Sequence, residues 1–214
     1  MSALWIKTNW LIKTIFSNYV WRIPTREKIV YLTFDDGPTP EITDWVLNQL
    51  QQHQAKATFF CIGNNIEKYP SIFNRILANG HAIGNHTFNH VKGWKTSTIT
   101  YLNEVDACDK IIRKTAINSL ESLLFRPPYG KIKPSQATLL RKKGFRIMMW
   151  DVLSKDYDTS VSKEKCLQNV LDNLEPGSLI VFHDSVKAFP NLEYCLPKTL
   201  AFLAEKGYKM NVID

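Results

Sequence analysis

From residue 29 to the C-terminus, short apolar runs alternate with segments in which apolar residues recur at helical spacing. Several of the short runs are continuously apolar, for example residues 59–62 and 179–182. Runs of this kind are typical of strands that are buried on both faces of a parallel sheet. The pattern predicts seven strands, at 29–35, 57–62, 81–84, 122–126, 145–150, 178–183 and 208–213.

The segments between these runs predict amphipathic helices that cover the sheet. One of them carries Ile42, Val46 and Leu50 along a single helical face. Because strands alternate with helices along a chain of 214 residues, we predict one parallel α/β domain, either an open doubly wound sheet or a barrel. Three of the segments are followed by a residue that tolerates the positive φ of a helix C-terminus: Gly80, Gly144 and Gly207.

The positions of the reactive side chains favour the barrel over the open sheet. They fall at or just beyond the C-terminal ends of different predicted strands. In a barrel these ends converge on one face, whereas an open sheet gathers fewer of them at its crevice. The side chains concerned are Asp35, Asp36, His86, His90, Arg126, Asp156 and His183.

Residues 1–28 precede this pattern and form a basic segment of their own, so we divide the chain into residues 1–28 and an α/β domain at 29–214. Ile12, Ile15, Phe16 and Tyr19 recur at helical spacing and predict a short amphipathic helix. Lysines interrupt its apolar run, which excludes a spanning helix and argues against a cleavable signal peptide. The helix therefore either docks on the domain or contacts a membrane surface.

Charge and cysteine usage narrow the class of protein further. The net charge is +7, but most of the excess lies in residues 1–28, so the sequence predicts no nucleic-acid partner. The four cysteines stand far apart with no CxxC pair, which is typical of free, buried thiols in a reducing compartment. We expect a monomer that is cytoplasmic or peripherally associated with a membrane.

Two short motifs carry the candidate chemistry. Asp35 and Asp36 end the first predicted strand, and adjacent residues there point to opposite sides and can take different tasks. His86 and His90 lie four residues apart, close enough for both rings to reach one ion. Asp36 and the two histidines would leave coordination positions open, as in catalytic metal sites, while the other aspartate stays free to act as a base.

Together with residues 126–130, 150–157 and 179–184, these motifs resemble in order the five motifs of polysaccharide deacetylases with a NodB homology domain, carbohydrate esterase family 4. The resemblance covers about residues 29–213. It implies a deformed (β/α)7 TIM-like barrel in a single domain. It also implies a metal-dependent hydrolase that removes acetyl groups from N-acetylated sugars of a poly- or oligosaccharide, with Zn²⁺ as the expected metal and Co²⁺ as the alternative.

The resemblance also implies a role for each candidate residue. Asp36, His86 and His90 match the metal ligands, and Asp35 matches the catalytic base. Arg126 matches the partner of that base, and the backbone amide of Tyr129 matches the oxyanion donor. His183 matches the general acid, and Asp156 matches the carboxylate that orients it.

Three positions depart from the family pattern. Leu153, Tyr157 and Val181 stand where the family commonly has Asp, Trp and Leu, which affects the wall of the acetyl pocket and the surroundings of the acid. The substrate therefore stays open between an amide and an ester. We weigh three alternatives to the N-deacetylase: an O-acetyl esterase on an acetylated glycan, a deacylase of a lipid-linked sugar at a membrane surface, and a non-catalytic carbohydrate-binding protein.

Overall fold

A computed structural model of the chain describes residues 6–116 and 123–214, and its centre is a curled parallel sheet. The strand order is β5-β4-β3-β2-β1-β7-β6, and β8 pairs with the start of β1. The strands are β1 (Ile29–Asp35), β2 (Ala57–Cys61), β3 (Ala82–Asn85), β4 (Leu124–Phe125), β5 (Arg146–Ile147), β6 (Val152–Leu153), β7 (Leu179–His183) and β8 (Lys209–Met210).

Helices connect successive strands, as the alternating pattern predicts, except for β5 and β6, which are joined by residues 148–151 without a helix. Two short 3-10 turns, Gly93–Lys95 and Pro128–Gly130, lie in the loops that follow β3 and β4. The single-domain (β/α)7-type barrel is thereby confirmed in its deformed form. The α-helices are α1 (Trp10–Ile15), α2 (Ile42–Gln52), α3 (Gly63–Lys68), α4 (Pro70–Ala78), α5 (Thr98–Thr115), α6 (Pro134–Lys142), α7 (Lys163–Leu171) and α8 (Phe189–Glu205).

Each predicted strand overlaps a strand of the structure, but several of the observed strands are shorter than the apolar runs that predicted them. The run 145–150 contains only the two residues of β5; the Met148 amide beyond it still donates to the Phe125 carbonyl at 2.8 Å, but Met148 forms its bridge with Val20 of the N-terminal segment. Strand β6 was not predicted, because the polar residues Asp151 and Ser154 flank its two apolar residues and leave no apolar run. Position 122 of the predicted fourth strand, and residues 1–5, lie outside the described residues.

Alternation along β1 explains which side chains reach the inside of the barrel. Phe34 faces the helices and stacks with Phe59 and Phe182 in the outer core layer. The residues on either side of it, Thr33 and Asp35, face the other way and contact Arg126. Because successive side chains of a strand point to opposite faces, one apolar strand supplies both the core and the interior polar groups.

The N-terminal segment closes the gap between the two ends of the sheet. The Val20 amide donates to the Ile147 carbonyl at 2.8 Å, and the Thr8 amide donates to the Asp151 carbonyl at 2.9 Å. These contacts join the segment to the last residue of β5 and to the residue before β6. The segment therefore occupies the place where the barrel would otherwise be open.

A buried carboxylate holds this segment in position. Asp151 is fully buried and pairs with both Lys7, at 2.7 Å, and Lys13. The Ser178 hydroxyl donates to the same carboxylate. Burial alone would raise the pKa of Asp151, but the hydrogen bonds from the two lysines and Ser178 lower it below its ordinary value.

Two sequence expectations, on the state of the cysteines and on membrane-spanning helices, can be compared directly with the structure. All four cysteines are free and buried, as predicted. None of the helices in the described ranges has the length and apolar character needed to cross a bilayer.

Candidate active site

Parallel pairing of β1 with β7 places the predicted base beside the predicted acid. Asp35 is the register partner of His183, and both are the last residues of their strands. Their side chains line one pocket of about 260 Å³ at the C-terminal face of the barrel. Residues 148 positions apart in sequence thus become neighbours through the strand register alone.

Arg126 lies fully buried beneath this pocket. Its Nη1 group donates to Asp35 Oδ1 and to Thr33 Oγ1, both at 2.7 Å. The opposite edge of the guanidinium donates to the Met149 carbonyl at 2.9 Å, and the Phe60 ring lies 4.1 Å from its centre. Burial raises the pKa of Asp35, but Arg126 and the nearby histidines outweigh it and hold that pKa below its ordinary value.

Asp36, His86 and His90 come together at the same pocket with the geometry of a metal site. Their ligand atoms all lie within 4.8 Å of one another. His90 Nε2 is 3.2 Å from Asp36 Oδ1, and His86 Nε2 is 3.7 Å from it. Tetrahedral ligands about 2.0 to 2.1 Å from Zn²⁺ would stand about 3.4 Å apart, so the three groups fit one ion.

The protonation states of the two histidines suit the same purpose. His86 Nδ1 lies 2.7 Å from the Arg126 carbonyl, so this nitrogen donates and leaves the Nε2 lone pair free. Burial lowers the pKa of His86, and burial with the neighbouring His86 charge lowers the pKa of His90 to about 4. Both rings are therefore neutral near pH 7, which a metal ligand requires.

His183 has the opposite electrostatic setting. Burial lowers its pKa, but the Asp156 carboxylate outweighs that effect and raises the pKa to about 9. Asp156 Oδ1 lies 2.8 Å from His183 Nδ1, and Asp156 Oδ2 accepts the backbone amide of His183 at the same distance. This two-point contact fixes the ring and keeps it protonated at neutral pH, as a general acid needs.

Several residues of the site adopt the left-handed backbone region that favours glycine. Asp36, Thr87, His90 and Tyr129 have φ values of 82°, 63°, 54° and 60°. Such strain persists where the surrounding structure imposes it, and it concentrates at functional sites. Within the described chain the Tyr129 amide donates to no other group, so it is free to donate to a substrate oxygen. The Tyr129 ring lies 4.6 Å from the His90 ring.

The three positions that depart from the family pattern all line the pocket. Leu153 and Val181 form part of its apolar wall, and Tyr157 packs edge-on against the His183 ring at 4.8 Å. They therefore lie around His183 and along the wall of the pocket, which is where the sequence analysis expected them.

The structure adds two residues that sequence reasoning did not assign to the site. Asp184 is fully buried, and burial raises its pKa to about 8. Its carboxyl group accepts the Gly37 amide at 3.1 Å and the Thr43 hydroxyl at 2.6 Å, so it holds the loop that follows Asp36. Lys187 lines the pocket from the β7–α8 loop. Adjacency to His183 was the available signal for Asp184; Lys187 offered none.

Comparison with known proteins agrees with this arrangement. The family model for polysaccharide deacetylases matches residues 22–148. The chain belongs to the polysaccharide deacetylase family. A chitooligosaccharide deacetylase of Azorhizobium caulinodans is 35% identical to it over 163 residues, which cover 76% of this chain and 77% of that protein.

Two peptidoglycan N-acetylglucosamine deacetylases are also similar to this chain. One from Bacillus cereus is 38% identical over 181 residues, and the match spans 85% of this chain but only 64% of the relative. A crystal structure of such an enzyme, in complex with 4-naphthalen-1-yl-N-oxidanyl-benzamide, superposes with a TM-score of 0.86 at 34% identity. That match covers 96% of this chain and 95% of the other, so the shared fold includes the N-terminal segment.

Proposed function

We propose that this polysaccharide deacetylase is a metal-dependent hydrolase that removes acetyl groups from the N-acetylated sugars of a poly- or oligosaccharide. One observation carries the proposal. A carboxylate with a lowered pKa and an imidazole with a raised pKa, Asp35 and His183, line one pocket beside three groups that fit a metal. Paired groups whose environments separate their pKa values are typical of a base and an acid.

Asp36, His86 and His90 would hold the metal, for which Zn²⁺ is our first choice and Co²⁺ the second. A divalent metal at such a site polarises the acetyl carbonyl and makes bound water more acidic. Asp35, kept ionised by Arg126, takes the proton of the attacking water. The Tyr129 amide donates to the oxygen on which negative charge develops, a contribution of about 3 to 4 kcal/mol per donor.

His183 completes the reaction at the leaving nitrogen. An amine anion is a very poor leaving group, so the amide C–N bond breaks only as a proton arrives. Asp156 keeps the His183 ring charged and oriented for that transfer. In these terms Asp35 and His183 are the catalytic residues, whereas Arg126 and Asp156 position them.

The relatives point to the class of glycan. Proteins similar to this chain act on peptidoglycan N-acetylglucosamine or on chitooligosaccharides, so we expect β-linked N-acetylglucosamine units in the substrate. The pocket of about 260 Å³ is open to the surface and has room for an acetyl group with part of one sugar ring. We expect the protein to act as a monomer, since every proposed group comes from one chain.

Acetate release decides the proposal. Purified protein loaded with zinc is incubated with N-acetylglucosamine oligomers and, separately, with peptidoglycan, and free acetate is measured. We expect release that a chelator abolishes and that Asp35→Asn and His183→Ala each reduce by about 100-fold or more. A metal-loaded, folded protein that releases no acetate from any N-acetylated glycan contradicts the proposal.

An O-acetyl esterase is the second candidate, favoured by the three departures at Leu153, Tyr157 and Val181 in the wall around the acid. An alkoxide leaves more easily than an amine anion, so an ester needs less from His183. We therefore compare O-acetylated and N-acetylated forms of the same sugar. Cleavage of the ester with no cleavage of the amide would establish the esterase instead.

A further inference from the structure

Large apolar side chains are exposed along helix α1 and the residue that follows it. Trp10 is 72% exposed and Ile15 is 61% exposed, and Leu11 and Phe16 beside them are exposed as well. Ile12 on the inner side packs against the core, so the helix is held in place. Contiguous exposed apolar side chains mark a surface that a partner covers, whereas single ones need no explanation.

Three segments around this helix carry lysines and arginines and no acidic residue. They are residues 6–24, 91–103 and 131–146. In the rest of the chain the acidic residues outnumber the basic ones, so the net charge of +7 originates in these segments. A basic region that surrounds an apolar one is the charge pattern that complements an anionic lipid surface.

Direct contacts show that the three segments adjoin one another. The Trp94 indole donates to the Ile132 carbonyl at 3.1 Å, and Lys133 Nζ donates to the Thr96 carbonyl at 2.7 Å. Phe16 of the N-terminal segment lines the same groove as Trp94 and Lys131. This groove has a volume of about 360 Å³ and is mainly apolar.

The free cations of this surface come from the neighbouring segments and not from α1 itself. Lys7 and Lys13 turn inward to Asp151. Within residues 6–116 and 123–214, Lys131 and Arg141 form no ion pair. The Lys131 ammonium lies 4.0 Å from the centre of the Trp94 ring, at the edge of the groove.

We propose that helix α1 and the basic segments 91–103 and 131–146 dock this protein on the surface of an anionic lipid bilayer. Trp10, Leu11, Ile15 and Phe16 enter the interfacial layer, while Lys131 and Arg141 lie against the lipid phosphates. A nucleic acid would pair with the cations but offers nothing to Leu11 and Ile15. An anionic bilayer offers acyl chains to the aliphatic side chains and phosphates to the cations, so it fits this surface better than a nucleic acid does.

Docking in this way sets the position of the catalytic pocket. The groove shares Gly130 and Trp150 with that pocket, so it connects the lipid-facing helix to the site. A bilayer against α1 therefore places the pocket close to the headgroup layer, where a membrane-proximal or lipid-linked glycan is presented. The docking itself does not depend on the proposed reaction.

Vesicle co-sedimentation of the full chain tests the surface. We expect binding to vesicles of phosphatidylcholine mixed with phosphatidylglycerol, weaker binding to phosphatidylcholine alone, and release by salt. The double variant Trp10→Ser with Ile15→Ser loses about tenfold or more in affinity for the mixed vesicles. Lys131→Ala with Arg141→Ala reduces the affinity and its salt dependence together.

Matched variants on other surfaces provide the controls. Val186 is 74% exposed on the β7–α8 loop, and Val186→Ser is expected to bind vesicles like the parent. Lys68→Ala with Lys165→Ala, on exposed positions of α3 and α7, removes the same charge elsewhere. Thermal unfolding establishes that each variant is folded.

Three results would overturn the proposal. The first is unchanged vesicle binding by a folded Trp10→Ser, Ile15→Ser variant. The second is a dimer in analytical ultracentrifugation that this variant dissociates, without any vesicle binding by the parent, which would make a second copy the partner. The third is salt-sensitive binding to DNA or RNA with no binding to anionic vesicles. Acetate release plays no part in these readouts, so they stand apart from the test of the proposed reaction.

Discussion

Asp35 and Asp36 are adjacent, but their carboxylates contact different groups of the pocket because the backbone changes direction between them. Asp35 is the last residue of β1 and faces the barrel interior, where Arg126 receives its carboxylate. Asp36 follows with a φ of 82° and turns its carboxylate toward His86 and His90. The division between the proposed base and the proposed metal ligand thus falls at a single left-handed residue.

At the residue scale, the acid and its partner give a prediction about pH. His183 must be protonated to deliver a proton, and Asp156 raises its pKa to about 9, so activity is retained through neutral pH and falls above about 9. Asp156→Asn removes the charge that raises this pKa. We expect the alkaline limb of the kcat profile to move to lower pH, with activity near pH 8 reduced by about 100-fold.

The control for that profile is Asp158→Asn, two residues further on. Asp158 is half-buried, and its main hydrogen bonds come from Ser160, not from His183. Its removal should leave the alkaline limb in place. An Asp156→Asn enzyme whose limb also stays near pH 9 would show that another group governs the raised pKa.

At the scale of elements, the N-terminal segment replaces the strand pairing that β5 and β6 do not make with each other. Its backbone amides and carbonyls hydrogen-bond to residues next to β5 and β6 on both sides of the gap. Its two lysines form ion pairs with the buried Asp151. A buried carboxylate without a cation is strongly destabilising. The ion pairs therefore tie the segment to the barrel more firmly than its short helix could by itself.

Substitution of both lysines measures this attachment. Lys7→Met with Lys13→Met leaves Asp151 buried and unpaired, and we expect the free energy of unfolding to fall by about 3 kcal/mol at pH 7 in urea titration. Because the pKa of Asp151 is lowered in the folded protein, the parent holds this contribution above about pH 4 and loses it as pH falls further.

Asp151→Asn added to the double variant serves as the matched control, since it removes the unpaired charge. It should recover part of the lost stability near neutral pH. Equal unfolding free energies for the parent and the double variant at pH 7 would contradict the role given to the two ion pairs.

At the scale of the whole molecule, the barrel collects polar groups from β1, β3, β4 and β7 and their loops at one end. Three candidate ligand groups lie within 4.8 Å of one another, and a metal that binds only the folded protein stabilises it by mass action. Zinc at about 100 times its dissociation constant contributes about 2.7 kcal/mol.

Thermal unfolding with zinc and with a chelator tests the metal site without any substrate. For a domain of this size we expect the midpoint to rise by about 5 to 10 °C with zinc. His90→Ala should remove the shift, whereas His53→Ala, at a histidine outside the ligand cluster, should keep it. A shift that survives His90→Ala would place the ion elsewhere.

The sequence alone was enough to predict the barrel class, the strands with continuous apolar runs and the candidate residues of the site. Long runs such as β1 and β7 carry a clear signal because burial on both faces leaves few polar positions. Strand β6 carries none, since its two apolar residues stand between the polar residues Asp151 and Ser154. The eight candidate residues were identified from ordered motifs, and six of them line one pocket with Arg126 and Asp156 directly behind.

Only the tertiary structure decided which groups meet. The register of β1 with β7 sets Asp35 beside His183, and the buried Arg126 and Asp156 then separate their pKa values. The sequence assigned most of the basic charge to residues 1–28, but Lys7 and Lys13 turn inward to Asp151. The cations proposed to act with α1, Lys131 and Arg141, lie in a segment distant along the chain. Charge, burial and neighbours depend on distances in space, which no local pattern of residues contains.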